Sequence, residues 1–211
     1  GGGAPAAAGG GAPAAGGAGV AGGMFVVAAA RAGVVLVPGN LGADELPGEV
    51  WGRLESKVVG QALGSAGLCV AVHKVLGYSP GEVLHSEGSV QFNVRCQLMM
   101  FRPFKGEVLE GTVAACLSEG AVVDCGVARA FIPRERLQQP SEFDEQEGVW
   151  VWRESGEDLY MEVGHTVRFS VTDFNPEEAK KNQHGTAVTA AVDADGLGVK
   201  DSKAIASDQK I

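Results

Sequence analysis

Apolar and polar positions alternate along several stretches of the chain, and the clearest run is Val90–Phe101. Val90, Phe92, Val94, Cys96, Leu98 and Met100 point one way, and Gln91, Asn93, Arg95 and Gln97 the other. A period of two over that length predicts a long, half-buried β-strand. Met24–Ala30, Val34–Val37 and Leu68–Val75 read as further strands, the last with Leu68, Val70 and Val72 on one face. Between them the period changes. Apolar residues recur at Trp51, Leu54, Val58 and Ala62, which is a helical stripe. Pro47 suits the first turn of that helix, the acids Asp44, Glu45 and Glu49 suit its positive end, and Gly64 suits its exit. One helix laid on a small antiparallel sheet would bury these faces.

After residue 105 the pattern is strands alone. Gly106–Cys116, Ala121–Cys125, Arg129–Ile132, Thr166–Asp173 and Gly185–Val192 are the candidates. Five short strands with a long connection after the third fit an OB-type barrel, a fold that often binds single-stranded nucleic acid. The fold class expected is therefore α+β: a small antiparallel sheet with one main helix, followed by a five-stranded OB-type β-barrel. The domains expected are an amino-terminal αβ domain at 24–104 and the barrel at 105–199, with an acidic insertion at 140–165 and a polar tail at 200–211.

Residues 1–23 contain 11 Gly, 9 Ala, 2 Pro and Val20. Such a segment cannot bury a core and is expected to be disordered, with the fold-bearing chain starting at Met24. Its Gly17-Ala18-Gly19-Val20-Ala21-Gly22 matches G-x-G-x-x-G, but no strand pattern precedes it, so a dinucleotide site is not expected. Gly77-Tyr78-Ser79-Pro80-Gly81 matches G-x-S-x-G. Pro80 has no N–H for an oxyanion hole, so the segment reads as a turn.

Charge narrows the function. The chain has 211 residues, with 17 Lys and Arg against 26 Asp and Glu, a net charge of −9. Bulk neutralisation of duplex phosphate calls for the opposite balance. The amino-terminal domain is balanced. The excess sits in 140–165, where eight acids face Arg153 alone around Val149-Trp150-Val151-Trp152. That stretch reads either as a solvated acidic loop with a short β-ribbon pinned by aromatics, or as a partner surface with Trp150 and Trp152 as anchors. No run of about 18 apolar residues suggests a spanning helix, and no membrane partner is expected. The four Cys are scattered, which points to a reducing compartment. The four His lack ligand spacing, Asp193-Ala194-Asp195-Gly196 lacks the acid that would complete a calcium loop, and neither a cofactor nor a metal nor catalytic residues are expected.

The junction Phe101-Arg102-Pro103-Phe104-Lys105-Gly106-Glu107-Val108 resembles the hinge of the larger stalk subunit of archaeal and eukaryotic RNA polymerases, the family of the seventh subunit of RNA polymerase II. The order of a small αβ domain, this hinge and an S-one-type OB barrel agrees. Ile132-Pro133-Arg134-Glu135-Arg136-Leu137-Gln138-Gln139-Pro140 with Phe143-Asp144-Glu145, the Val-Trp-Val-Trp stretch with Asp158-Leu159-Tyr160-Met161, and Gly196-Leu197-Gly198 resemble the RNA polymerase III branch. The resemblance covers roughly residues 24–199. It implies a non-catalytic nuclear subunit that pairs with a smaller helical stalk subunit, docks on the polymerase III core and supports initiation. It implies only weak contact with nascent single-stranded RNA, because a single stacking ring, Phe131, stands where S-one barrels often carry several. Lys105, Arg129 and Arg134 are the nearby bases. The docking tip of the family maps to 83–91, with Val83, Leu84, Gly88 and Val90, and the interdomain hinge to Phe101, Pro103 and Phe104. A free-standing OB-fold RNA-binding accessory protein, or the stalk subunit of another nuclear RNA polymerase, is the alternative.

Overall fold

The computed structural model describes residues 14–19, 23–40, 45–84, 88–154, 157–182, 184–194 and 196–199. The chain divides into two compact units between Met100 and Phe101.

The first unit is an antiparallel sheet with one helix. Its strands are β1 (Ala14–Gly19), β2 (Phe25–Leu36), β3 (Leu68–Tyr78), β4 (Glu82–Val83) and β5 (Val90–Phe101), in the order β1-β2-β5-β3, with β4 also paired to β5. The helix α1 spans Leu46–Val58 and buries Val50, Leu54 and Val58. These meet the inner face of the sheet, where Val34, Leu36, Phe92, Val94, Cys96, Leu98 and Met100 are all buried. Each large side chain so buried contributes about 1.5–3 kcal/mol relative to exposure. The outer face of β5 is polar, as the alternation predicts.

Four expectations change here. Met24–Ala30 and Val34–Val37 are one continuous strand, β2, because Arg31 and Gly33 keep the alternation by facing outward while Ala32 faces in. In β3 the buried residues are Cys69 and Val72, three apart, so Leu68 and Val70 do not form a buried face. The helix stops at Val58, not near Gly64. Val59 turns to extended backbone, Gly60 takes φ +75°, and its N–H donates to Cys69 O, so Ala62 leaves the stripe and bridges Leu68. Lastly, Ala14–Gly19 of the Gly/Ala-rich segment pair with β2 as an edge strand. Backbone hydrogen bonding suffices for that, since pairing at an edge needs no side-chain burial.

The second unit is a closed barrel. Its five strands are β6 (Val108–Leu117), β7 (Gly120–Asp124), β8 (Arg129–Pro133), β12 (Thr166–Phe174) and β13 (Thr186–Ala191), in the order β13-β8-β7-β6-β12, closed by β12 against β13. A sixth, short strand, β14 (Gly198–Val199), extends the sheet beside β12 and carries no alternation by which the sequence could announce it. Val113, Ala121, Val123, Ala130, Ile132, Val167, Phe169 and Val171 fill the interior. The insertion is a sheet of its own: β9 (Ser141–Asp144), β10 (Val149–Glu154) and β11 (Glu157–Met161), in the order β11-β10-β9.

Candidate functional site

The alternation of β8 decides what its residues can do. Ala130 and Ile132 are fully buried in the barrel, so Arg129, Phe131 and Pro133 face outward, and Phe131 is half-buried. It pairs with Val122 on β7 and Thr189 on β13. Its ring rests against Gly120, where a Cβ would lie 2.9 Å from Phe131 Cζ. Phe131 is thus a half-buried, outward ring set over Gly120.

The basic residues do not all gather around it. Arg129 shares the outward face, with Nε 3.9 Å from Asp124 Oδ2 and Nη1 donating to His184 O at 3.3 Å. Arg134, in the short helical turn after β8, places its guanidinium 5.9 Å from the centre of the Trp150 ring. Lys105 is exposed in the turn that enters the barrel, where the neighbouring Gly106 N–H donates to Val171 O on β12. That strand is separated from β8 by β13, so Lys105 belongs to another part of the surface. A pair that sequence spacing does not reveal is Glu119 with His184, 3.9 Å apart, which joins the turn before β7 to the residues leading into β13. The two are 65 positions apart, and only the parallel pairing of β13 with β8 makes them neighbours.

Trp150 and Trp152 require a correction. They are 1% and 7% exposed, so neither ring is available as an outward anchor. Both project from the same face of β10. Trp150 Nε1 donates to Leu117 O at 3.1 Å and to Gly120 O at 3.3 Å, and its ring lies 5.3 Å from that of Phe143. The two rings are the core of the small sheet against the barrel, the usual fate of a large ring that can place its N–H on a carbonyl. The opposite face carries Glu142, Val151 and Tyr160, which share one register level, and Tyr160 is 39% exposed.

In the first unit, Val83 pairs with Val90 and is 59% exposed. Leu84 and Val90 are half-buried. Leu84 N–H donates to Ser89 O at 2.7 Å, Gly88 N–H donates to Leu84 O at 3.1 Å, and Gly88 takes φ +65°. The left-handed backbone at Gly88 closes this hairpin without a Cβ penalty. Its residues 85–87 lie outside the described residues. In the segment that opens the second unit, Phe101 is buried with its ring 5.6 Å from that of Phe174, Pro103 is buried, and Phe104 is 58% exposed, its N–H bonded to Glu107 Oε2.

Reactive chemistry is sparse. Among the described residues no three His, Cys, Asp or Glu converge as a metal site. Ser79 Oγ donates to Pro80 O and accepts from Asn93 N–H, which makes it a turn residue. Burial pushes the Cys96 and Cys116 thiols up, and burial with a neighbouring charge raises Cys69 and Cys125 to about 11. Such thiols are poor nucleophiles at neutral pH.

The model of the family described as RNA polymerase III subunit Rpc25 matches residues 107–209. The DNA-directed RNA polymerase III subunit rpc8 of Schizosaccharomyces pombe is 31% identical over 170 residues, 70% of this chain and 84% of that protein. The bovine RNA polymerase III subunit RPC8 is 36% identical over 126 residues, 57% of this chain and 62% of that one. The RNA polymerase II subunit RPB7 of Saccharomyces cerevisiae is 34% identical over 94 residues, covering 44% and 55%. With the αβ unit, the closed barrel and the sheet between β8 and β12 in one chain, and a polymerase III relative matched along most of its length, this protein belongs to the Rpc25/RPC8 family of RNA polymerase III subunits.

Proposed function

We propose that this chain is the larger stalk subunit of RNA polymerase III, an accessory rather than a catalytic component. It joins a smaller helical subunit, docks on the polymerase core through its αβ unit and supports initiation in the nucleus. The observation that carries the docking reading is the β4–β5 hairpin. It presents Val83 to solvent on a rigid ladder, with Leu84 and Val90 beside it and Gly88 tightening the return. Apolar residues on a short, backbone-bonded hairpin suit the centre of an interface.

Nascent RNA meets the barrel at the outward face of β8. Phe131 offers the stacking surface and Arg129 the nearest cation. One ring and one partly engaged arginine on an acidic protein support weak, sequence-tolerant binding. The outward face of the insertion, with Glu142 and Tyr160, meets protein instead, since its charge repels phosphate.

The test is a tagged pull-down from cells followed by mass spectrometry. Recovery of the polymerase III core with a small helical subunit is the expected result. Recovery of RNA-processing factors without polymerase would favour a free-standing RNA-binding role. Recovery of another nuclear polymerase would move the subunit to that enzyme.

A further inference from the structure

The strands β2, β3 and β5 of the αβ sheet contain no Asp or Glu, in a chain that has 26. Their outer face, turned away from α1, carries basic, amide and small side chains instead. Arg31 on β2 and Asn93 and Arg95 on β5 are exposed there, each flanked by buried neighbours that point to the core. Gln91 and Gln97 lie on the same side of β5 and are half-buried.

Two glycines flatten this face. A Cβ at Gly33 would lie 3.5 Å from Gln91 Nε2, and one at Gly77 would lie 3.8 Å from Arg95 Nη2. The Gln91 amide therefore lies over β2 and the Arg95 guanidinium over β3, each above a residue without a side chain. The three strands share one continuous surface in the order β2-β5-β3. Glu82 on β4, the register partner of Gln91, marks its border.

The barrel deals with its outward arginines in another way. Arg129 lies 3.9 Å from Asp124, and Arg168 lies 3.4 Å from Glu110. Each is paired with its acid across neighbouring strands, an arrangement that stabilises a sheet. The strands of the αβ sheet offer Arg31 and Arg95 no such acid, and among the described residues neither makes an ion pair. Two guanidinium groups of like charge add nothing to the cohesion of their own sheet. They complement an anion laid across it.

We infer that this face is a docking surface for an acidic, extended segment of a partner protein. A guanidinium presents a planar fork of donors that matches a carboxylate. The Gln and Asn amides both donate and accept, as a peptide backbone requires. Single-stranded RNA fits the face less well, because it is held by rings on which bases stack. Between residues 29 and 35 and between 91 and 97 no aromatic side chain faces outward. Binding here works through charge and is separate from docking through the apolar hairpin tip at Val83, so either can fail while the other stands.

The experiment uses the full-length chain and a fluorescein-labelled peptide of alternating Glu and Ser. Anisotropy should show binding that weakens as salt is added. The double variant Arg31→Ala, Arg95→Ala should bind about tenfold more weakly or worse, as expected for the loss of two charge-assisted contacts. Arg53→Glu, at an exposed position of α1 behind the sheet, changes the net charge by the same amount and should alter affinity little. No binding by the wild type, or an equal loss in Arg53→Glu, overturns the proposal. So does a labelled oligouridylate that loses more affinity than the peptide in the double variant, which would make the face an RNA site. If the double variant does not fold, ¹⁵N spectra of the wild type decide: amide shifts at residues 91–97 on adding the peptide support the surface, and shifts confined to the barrel overturn it.

Discussion

Trp150 donates its indole N–H to the carbonyl of Leu117, 3.1 Å away and 33 positions earlier in the chain. The bond joins β10 to the end of β6, and Gly120 O at 3.3 Å shares it from the first residue of β7. It turns an insertion between two barrel strands into a packed layer.

Removing that fastening should be costly. Trp150→Phe keeps an aromatic ring but loses the indole N–H from the carbonyls of Leu117 and Gly120, and should cost about 1–3 kcal/mol of stability. Trp150→Ala should cost about 3–5 kcal/mol, the range for deleting a buried aromatic. Urea unfolding followed by far-UV circular dichroism measures both. Losses below half a kcal/mol in either variant would mean that the sheet is not anchored through this residue.

Phe131→Ala should leave the fold intact, because the ring faces outward, and should weaken single-stranded RNA binding by about 1–3 kcal/mol, the value of one stacked base. Arg129→Ala should weaken binding and flatten its salt dependence, whereas Lys105→Ala, on another part of the barrel, should change it less. Fluorescence anisotropy with a labelled oligoribonucleotide at several salt concentrations gives both numbers. Equal affinity of wild type and Phe131→Ala would remove β8 from consideration as the RNA face.

The hairpin tip can be tested without touching the barrel. Replacing residues 83–89 by a short Gly-Ser turn should preserve the complex with the helical partner and abolish co-purification with the polymerase core. Co-purification at wild-type levels would put docking elsewhere.

Two glycines should respond differently to the same substitution. At Gly120, where φ is +155°, a Cβ would also collide with the carbonyl oxygen of Ile132 and press on Phe131, so Gly120→Ala should add about 1–3 kcal/mol of overpacking to the backbone penalty. At Gly126, φ is +80° and nothing lies within 4 Å of a Cβ, so Gly126→Ala should cost only the left-handed backbone penalty, about 1–2 kcal/mol. Thermal unfolding of the two variants, with RNA binding recorded for Gly120→Ala, separates a backbone penalty with a packing clash from a backbone penalty alone.

The thiols supply a pH prediction. Cys69 rises from 9.0 to about 11, first through burial and then through Cys96 beside it. A folded-state value above the unfolded one means that the contribution to stability is fully present below about pH 9 and is lost as pH rises through about 11. Unfolding monitored between pH 8 and pH 11 should show that decline, and a Cys69→Ala, Cys96→Ala protein should show less of it. Rapid modification of Cys69 by a thiol reagent in the folded protein at pH 7.5 would contradict the burial argument.

Local pattern alone determined the long strand Val90–Phe101, the Leu54 and Val58 positions of the helical stripe, and the five barrel strands, because each must present an apolar face at the period of its own backbone; Val50 in place of Ala62 was decided by where the helix ends. The hinge and the polymerase III stretches were legible for a different reason: they are contiguous runs whose order survives in the chain. What the tertiary structure decided concerns residues that meet from far apart. Whether Phe131 looked in or out depended on the register of β8 against β7 and β13. A register shift of one residue would have reversed it. Whether Trp150 and Trp152 faced a partner or a core depended on the barrel carbonyls of Leu117 and Gly120 standing within reach, which no spacing in 149–152 records. The pairing of β14 with β12 and the approach of His184 to Glu119 arise in the same way. Side-chain pattern along a strand reports which face is buried, but burial against what is settled only when the sheet closes.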